Sequence, residues 1–117
     1  MEIVPEVLRR MKQQFGCDPQ EAVVGVSAGA DECCYEVDDQ TADYFLKDKY
    51  EDVVMYRAGR TYINLKNAIK CQLLFEKVPE DQIQIMNECT ICNSTLFSYR
   101  REQENAGRNG LFAWIKK

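Results

Sequence analysis

Apolar positions along the chain fall into short periodic runs separated by polar turns. Val4, Val7, Leu8, Met11 and Phe15 recur at helical spacing, which predicts an amphipathic helix over 4–15 with one apolar stripe. Pro5 is tolerated in its first turn, Gly16 stops it, and Cys17-Asp18-Pro19 turns the chain. Residues 22–26 are a near-continuous apolar run with β-branched side chains, suited to a strand buried on both faces. Ser27 to Ala30 is a loop of small residues. Cys33 to Val37 reads as an irregular segment or a short strand. Thr41 then caps a helix over 42–50, with Asp43 favourable in its first turn.

Residues 53–56 and 62–65 read as two strands around the turn Arg57-Ala58-Gly59-Arg60. Asn64 or Asn67 opens a helix whose face carries Ala68, Ile69, Leu73 and Val78, widened by Leu74 and Phe75 and ended by Pro79. Ile83 and Ile85 alternate as a strand leading into Cys89, and residues 111–115, with Trp114, form the last strand. This order predicts an α+β fold, one domain over 1–117 with a short mixed sheet and two main helices. The helices have wide apolar faces while the strands are short. The sheet is therefore expected to expose an apolar face and to cover it with a second copy or a complementary segment.

Charge narrows the partners. Lys and Arg number 15 against 19 Asp and Glu, a net charge of −4, which argues against nucleic-acid binding driven by phosphate contacts. No apolar stretch approaches the roughly 18–20 residues of a membrane span. Met-Glu-Ile-Val-Pro-Glu lacks the basic and apolar regions of a secretion signal, so the expected location is the cytoplasm. Residues 31–52 hold nine acidic and two basic side chains and read as a solvated face; residues 100–117 hold five basic and two acidic ones, with the arginines clustered.

The chain has no histidine, which excludes every imidazole ligand, base or acid for its own residues. It has six cysteines: Cys17, Cys33, Cys34, Cys71, Cys89 and Cys92. Three readings stand side by side. Buried thiols behaving as small hydrophobes are the ordinary one. A four-cysteine zinc site fits the Cys89-x-x-Cys92 spacing, although adjacent cysteines rarely supply both other ligands. A redox pair at Cys89 and Cys92 is the third.

Cys89-Thr90-Ile91-Cys92, followed by Phe97-Ser98-Tyr99-Arg100-Arg101 and by Gly107-Arg108, resembles the C-terminal signature of the laccase-domain or polyphenol-oxidase family, the YfiH-like proteins. Cys33-Cys34-Tyr35-Glu36-Val37 is similar to a second element of that family, and Tyr62-Ile63-Asn64-Leu65 with Asn67 to the strand and helix between them. The family's aspartate and glycine after the arginine pair are Glu102 and Gln103 here. The resemblance implies a layered α/β/β/α fold of which this chain is the C-terminal half. The metal-ligand histidines and cysteine, which bind zinc or copper in the full-length family, would lie in the other half, so no metal ligand and no cofactor is expected in this chain alone.

The same resemblance implies a purine nucleoside phosphorylase with adenosine deaminase activity, acting on adenosine and inosine with phosphate. Such chemistry passes through an oxocarbenium-like state and wants cations for the phosphate. Arg100 is the candidate catalytic residue, because a guanidinium fork matches a phosphate and Arg100 directly follows the Ser98-Tyr99 pair. Arg101, Arg108, Tyr99 as a stacking ring, and Ser27 and Gly29 as an anion-binding loop are candidate substrate-binding residues. A non-catalytic interaction module of the same fold, and an amidase editing a peptidoglycan precursor, are the alternatives. Without the metal-ligand half, the chain by itself is expected to be inactive.

Overall fold

A computed structural model describes residues 3–47 and 52–116. Helix α1 spans Ile3–Phe15 and ends at Gly16, whose φ of +68° is the left-handed conformation that glycine adopts without a Cβ clash. A single 3₁₀ turn at Pro19–Glu21 follows, capped by the Asp18 carboxylate, which accepts the Gln20 N–H. Strand β1 (Val24–Val26) pairs in parallel with β5 (Ile83–Ile85), Val24 opposite Ile83 and Val26 opposite Ile85. Strands β2 (Glu36–Val37), β3 (Val54–Arg57) and β4 (Arg60–Ile63) form a separate antiparallel sheet with β4 in the centre. The α+β class is as expected, but the single mixed sheet is two sheets, one parallel and one antiparallel.

Helix α3 (Leu65–Phe75) joins the two sheets, because it buries residues on two sides. Leu73 packs with Leu8 of α1 and with Val78, and around them sit Val4, Val24, Ile69 and Ile83. Ala68 packs instead with Val53 and Ile63, flanked by Val37, Phe45 and Leu65. Helix α2 (Asp39–Lys47) brings Phe45 to this second cluster. The helix is thus shared between two cores through Ile69 and Leu73 on one side and Leu65 and Ala68 on the other, and the widening by Leu74 and Phe75 has no part in it. Leu74 and Phe75 themselves stay exposed.

Several expectations need correction. The cap of α2 is Asp38, not Thr41: its carboxylate accepts the Thr41 N–H at 2.8 Å and its carbonyl the Ala42 N–H at 3.0 Å. The last residues expected in that helix, 48–50, lie outside the described ones. Leu65 belongs to α3, since the Asn64 side chain accepts the Asn67 N–H at 2.9 Å and starts the helix there. The helix stops at Phe75 and not at Val78. Lys77 turns left-handed at φ +70°, its N–H bonds Leu74 O, and the Val78 N–H bonds Leu73 O, so Val78 folds back onto Leu73 as a Schellman cap.

Two further differences concern exposed apolar surface. Residues 111–115 form no strand; they run irregularly, with Trp114 80% and Ile115 91% exposed, because no neighbouring strand among the described residues offers them a partner. In α1, Val4 and Leu8 face the core, whereas Val7, Met11 and Phe15 continue an outer row from Ile3 that stays exposed. Strand β1 is not buried on both faces either, since Val23 and Gly25 are exposed. The outer face of the antiparallel sheet carries Glu36, Arg57, Arg60 and Tyr62, and the most exposed apolar side chains include Phe15 of α1, Phe75 of α3 and Phe112, Trp114 and Ile115 of the C-terminal segment.

Candidate functional site

The loops leaving the carboxyl ends of β1 and β5 run side by side. Gly29 and Cys89 form a parallel bridge: the Gly29 N–H donates to Glu88 O at 3.4 Å and the Thr90 N–H to Gly29 O at 3.1 Å. The Gly29 amide is thus committed to the pairing, which removes it from the expected anion-binding loop; the Ser27 hydroxyl makes, among the described residues, a local contact with Ala28 O at 3.5 Å. Directly after the bridge, Asp31 O accepts the N–H groups of Cys34 at 3.0 Å and Tyr35 at 2.8 Å. That turn carries Cys33 and Cys34 over the Cys89-x-x-Cys92 turn.

The four sulfurs meet there, every Sγ of Cys33, Cys34, Cys89 and Cys92 lying within 4.8 Å of the other three. Cys33 and Cys92 are 3.9 Å apart, and the Asp31 N–H donates to the Cys89 Sγ at 3.4 Å. Burial raises the Cys89 thiol, but N–H donors of Cys92, Asp31 and Ile91 and the Cys33 thiol favour its thiolate more strongly and bring it to about 7. Cys33 and Cys34 are pushed up, first by burial. Sequence reading singled out the Cys89-x-x-Cys92 half and doubted the adjacent pair as its complement; the parallel pairing of β1 with β5 brings the two halves together.

Arg101 sits against this cluster. Ser98, buried, caps the single turn α4 (Tyr99–Glu102), its hydroxyl accepting the Arg101 N–H at 3.3 Å. The Arg101 guanidinium donates to Thr90 O and Ile91 O at 2.7 Å each, to Asn93 O at 3.3 Å and to Leu96 O at 2.5 Å, and it pairs with Glu102. It pins the loop 90–96 by its carbonyls, and its fork is occupied by protein.

Arg100 points elsewhere. Its Nη1 donates to Glu36 O at 2.6 Å and its guanidinium lies 4.9 Å from the centre of the Tyr35 ring, while the side chain stays exposed. Two arginines that sequence reading treated only as turn residues join it around the segment 32–36. Arg57 donates to Glu32 O and stacks 4.1 Å over Tyr62; Arg60 pairs with the Glu36 carboxylate at 3.2 Å. They reach the same segment because Ala58 and Gly59, at φ +50° and +75°, make a tight two-residue hairpin that places Arg57 opposite Arg60. The signal was in the sequence as Arg-Ala-Gly-Arg, but it acquires meaning only when β2 pairs with β4. Tyr99 is exposed beside Arg100 in the chain, and Arg108 turns back on Ala106 O and Gly107 O at 3.3 and 3.1 Å, apart from the others.

Beside the cysteines, a cleft of about 390 Å³ is lined by Asp31, Glu32, Cys33, Asn64, Lys66 and Lys70. Lys66 is buried and donates to Met86 O at 2.6 Å and Glu88 O at 3.0 Å, with Asp31 Oδ1 at 3.0 Å as its counter-ion. The Asn64 amide donates to the Glu32 carboxylate at 3.1 Å. These contacts hold the cleft wall in place and leave Lys66 saturated by protein acceptors.

The family model described as Multi-copper polyphenol oxidoreductase laccase matches residues 1–116. The chain is 30% identical over 118 aligned positions to the purine nucleoside phosphorylase CA_C1699 of Clostridium acetobutylicum, covering 98% of this chain and 48% of that protein. It is 33% identical over 95 positions to the purine nucleoside phosphorylase YlmD of Geobacillus stearothermophilus, covering 77% and 35% respectively. The crystal structure of the same YlmD superposes with a TM-score of 0.77 at 26% identity, and that of the hypothetical protein YfiH of Bacillus licheniformis with 0.72 at 25%; each covers 85% of this chain and 38% or 39% of the other. The chain therefore spans about half or less of the length of the curated relatives it matches. Copper in the matched description asks for a test against the residues present. An oxidase copper centre uses imidazole with a thiolate or thioether, and this chain has no histidine. Its clustered donors are four thiols, a set that does not fit such a centre.

Proposed function

The chain belongs to the multi-copper polyphenol oxidoreductase laccase family, and from that premise we propose that it supplies the C-terminal part of a purine nucleoside phosphorylase site acting on adenosine and inosine. The observation that carries this reading is the likeness, along nearly the whole chain, to a protein of that name. The geometry adds a cationic surface suited to phosphate. Arg100 is held in place by Glu36 O and by the Tyr35 ring, and only one of its N–H groups has a protein acceptor among the described residues. A guanidinium oriented in this way offers its other donors to phosphate oxygens as the phosphate attacks ribose C1′ and the purine departs. Arg57 and Arg60 add positive charge along the same edge, and Tyr99 is exposed for stacking on a base.

Arg101 has a different part in this scheme: it shapes the loop and contacts no substrate. The remaining groups of the site come from a complementary N-terminal half or a second copy, and the chain works in the cytoplasm. No helix among the described residues is long and apolar enough to cross a membrane.

The test is phosphorolysis of adenosine and inosine, with deamination read in the same chromatogram. The chain is assayed alone and together with a polypeptide carrying the N-terminal half of a relative. The expected result is no turnover alone, turnover on mixing, and its loss with Arg100→Ala. Absence of turnover in the mixture, where the two polypeptides demonstrably associate, would replace this reading with that of an interaction module.

A further inference from the structure

We propose that Cys33, Cys34, Cys89 and Cys92 hold one zinc ion through four thiolates, and that this ion locks the C-terminal loop onto the segment entering β2. The inference is independent of the nucleoside reading. Zinc bound by four thiolates at about 2.3 Å places the sulfurs roughly 3.8 Å apart in a tetrahedron. Cys33 and Cys92 already stand 3.9 Å apart, and all six sulfur pairs are within 4.8 Å. Closing on the ion therefore asks for side-chain adjustments below about an ångström, well inside rotamer freedom at a turn. A disulfide would need sulfurs about 2 Å apart and would leave two of the four thiols without a role.

The surroundings suit a site of this charge. Zinc with four thiolates carries a net charge of −2, and sulfur is a weak acceptor that needs N–H donors around it. The Asp31 N–H is directed at the Cys89 sulfur at 3.4 Å. The Arg101 guanidinium lies behind the Cys89-x-x-Cys92 turn, holding Thr90 O and Ile91 O so that the turn keeps its shape. Lys66, buried nearby, is balanced by the Asp31 carboxylate and holds the loop whose Asp31 N–H faces the Cys89 sulfur. The donor set also fixes the role. Four sulfurs fill a tetrahedron and leave no open position for water or substrate, so the ion is structural. Binding releases to solvent whatever protons the four thiols still carry as four zinc–sulfur bonds form, and no group is oxidised or reduced.

The full 117-residue chain, purified under reducing conditions without chelator, is expected to contain about one zinc per chain by elemental mass spectrometry. The metal-free chain titrated with Co(II) alone is expected to develop the charge-transfer and d–d bands of tetrahedral four-thiolate cobalt, saturating at about one equivalent. Cys92→His is expected to keep one ion and move the d–d bands to higher energy as one sulfur is replaced by nitrogen. Cys17→Ser and Cys71→Ser should leave the spectrum unchanged. Cys92→Ser should lose it, and if that variant does not fold, the titration of the unaltered chain decides. Copper in place of zinc, a Cys33–Cys92 disulfide in anaerobically prepared chain, or a cobalt titration without tetrahedral bands would each overturn the assignment.

Discussion

Arg100 and Arg101 are consecutive, yet their guanidinium groups serve different loops: Arg100 bonds Glu36 O at 2.6 Å, and Arg101 bonds Thr90 O at 2.7 Å. One turn of helix, fixed by the Ser98 hydroxyl, separates them by roughly 100° around its axis. The pair therefore clamps the two segments that also carry the cysteines. Arg100 has one carbonyl acceptor at the surface of this clamp, while the Arg101 guanidinium donates to four carbonyls.

Arg101→Met should destabilise the chain by about 2–3 kcal/mol, since hydrogen bonds to a charged donor are worth about 1.5–3 kcal/mol each but are not additive, and this side chain is partly solvated. Arg101→Lys should recover less than half, because an ammonium cannot reach four carbonyls spread over seven residues. Urea unfolding measures both. A change within about 0.5 kcal/mol, the range of an ordinary surface substitution, would show that the loop stands without its pin.

Lys66→Met leaves the Asp31 carboxylate and two carbonyls without their shared donor in a site where the lysine is only 8% exposed. Breaking a buried pair from one side costs about 3–5 kcal/mol. The double variant Lys66→Met with Asp31→Asn should be more stable than the single one, because no uncompensated charge remains. Equal stabilities would mean that the carbonyl contacts, not the ion pair, hold Lys66.

Much of the local structure was legible from residue spacing. The stop at Gly16, the hairpin between Arg57 and Arg60 and the start at Asn64 all depend on neighbours within a few positions. The cap at Asp38 was not read, because the apolar run of that helix begins only after Thr41, whose own N–H the Asp38 carboxylate accepts at 2.8 Å. What spacing could not supply is the meeting of Cys33 with Cys92 across 59 positions. That contact follows from the parallel register of β1 and β5, set by Val24 opposite Ile83, and nothing local to either cysteine encodes it. Residues 111–115 fail for the opposite reason. Their continuous apolar run, Leu111-Phe112-Ala113-Trp114-Ile115, suits a strand, but a strand needs an edge to pair with.

Lys77 occupies a left-handed position at φ +70° where glycine is the usual residue. An L-residue there loses about 1–2 kcal/mol, and glycine gives back about 0.5–1 kcal/mol in chain entropy. Lys77→Gly should therefore stabilise by about 0.5–1 kcal/mol, seen as a higher urea midpoint with unchanged slope. A lower midpoint would mean that the lysine side chain contributes contacts which outweigh its backbone strain.

The Asp38 carboxyl is held below its ordinary value by the hydrogen bonds of Thr41. A folded value below the unfolded one gives stability that is full above the usual aspartate range, near pH 4, and is lost as pH falls through the lowered folded value. Asp38→Asn keeps a capping acceptor but removes the titration. Its melting temperature should match the parent near neutrality and fall less steeply below about pH 4, with a residual slope from Glu6 and Glu80, which Arg10 and Lys70 also hold low. Parallel acid limbs in the two proteins would assign the cap no electrostatic part.

Trp114 is the only tryptophan, and it stands exposed among Leu111, Phe112 and Ile115. An apolar run of this kind, with no strand to join among the described residues, is a surface on which another chain can pack. In dilute solution its emission should be that of a water-exposed indole and should shift little on unfolding. Association with a second copy through residues 111–115 predicts a blue shift that grows with protein concentration, in step with a doubling of mass by light scattering. The shift should vanish with Ile115→Asp while the Cys33 to Cys92 region is unaffected. Constant emission and monomer mass across the range would exclude the second copy, and a blue shift appearing only on addition of the complementary N-terminal half would identify that half as the covering chain.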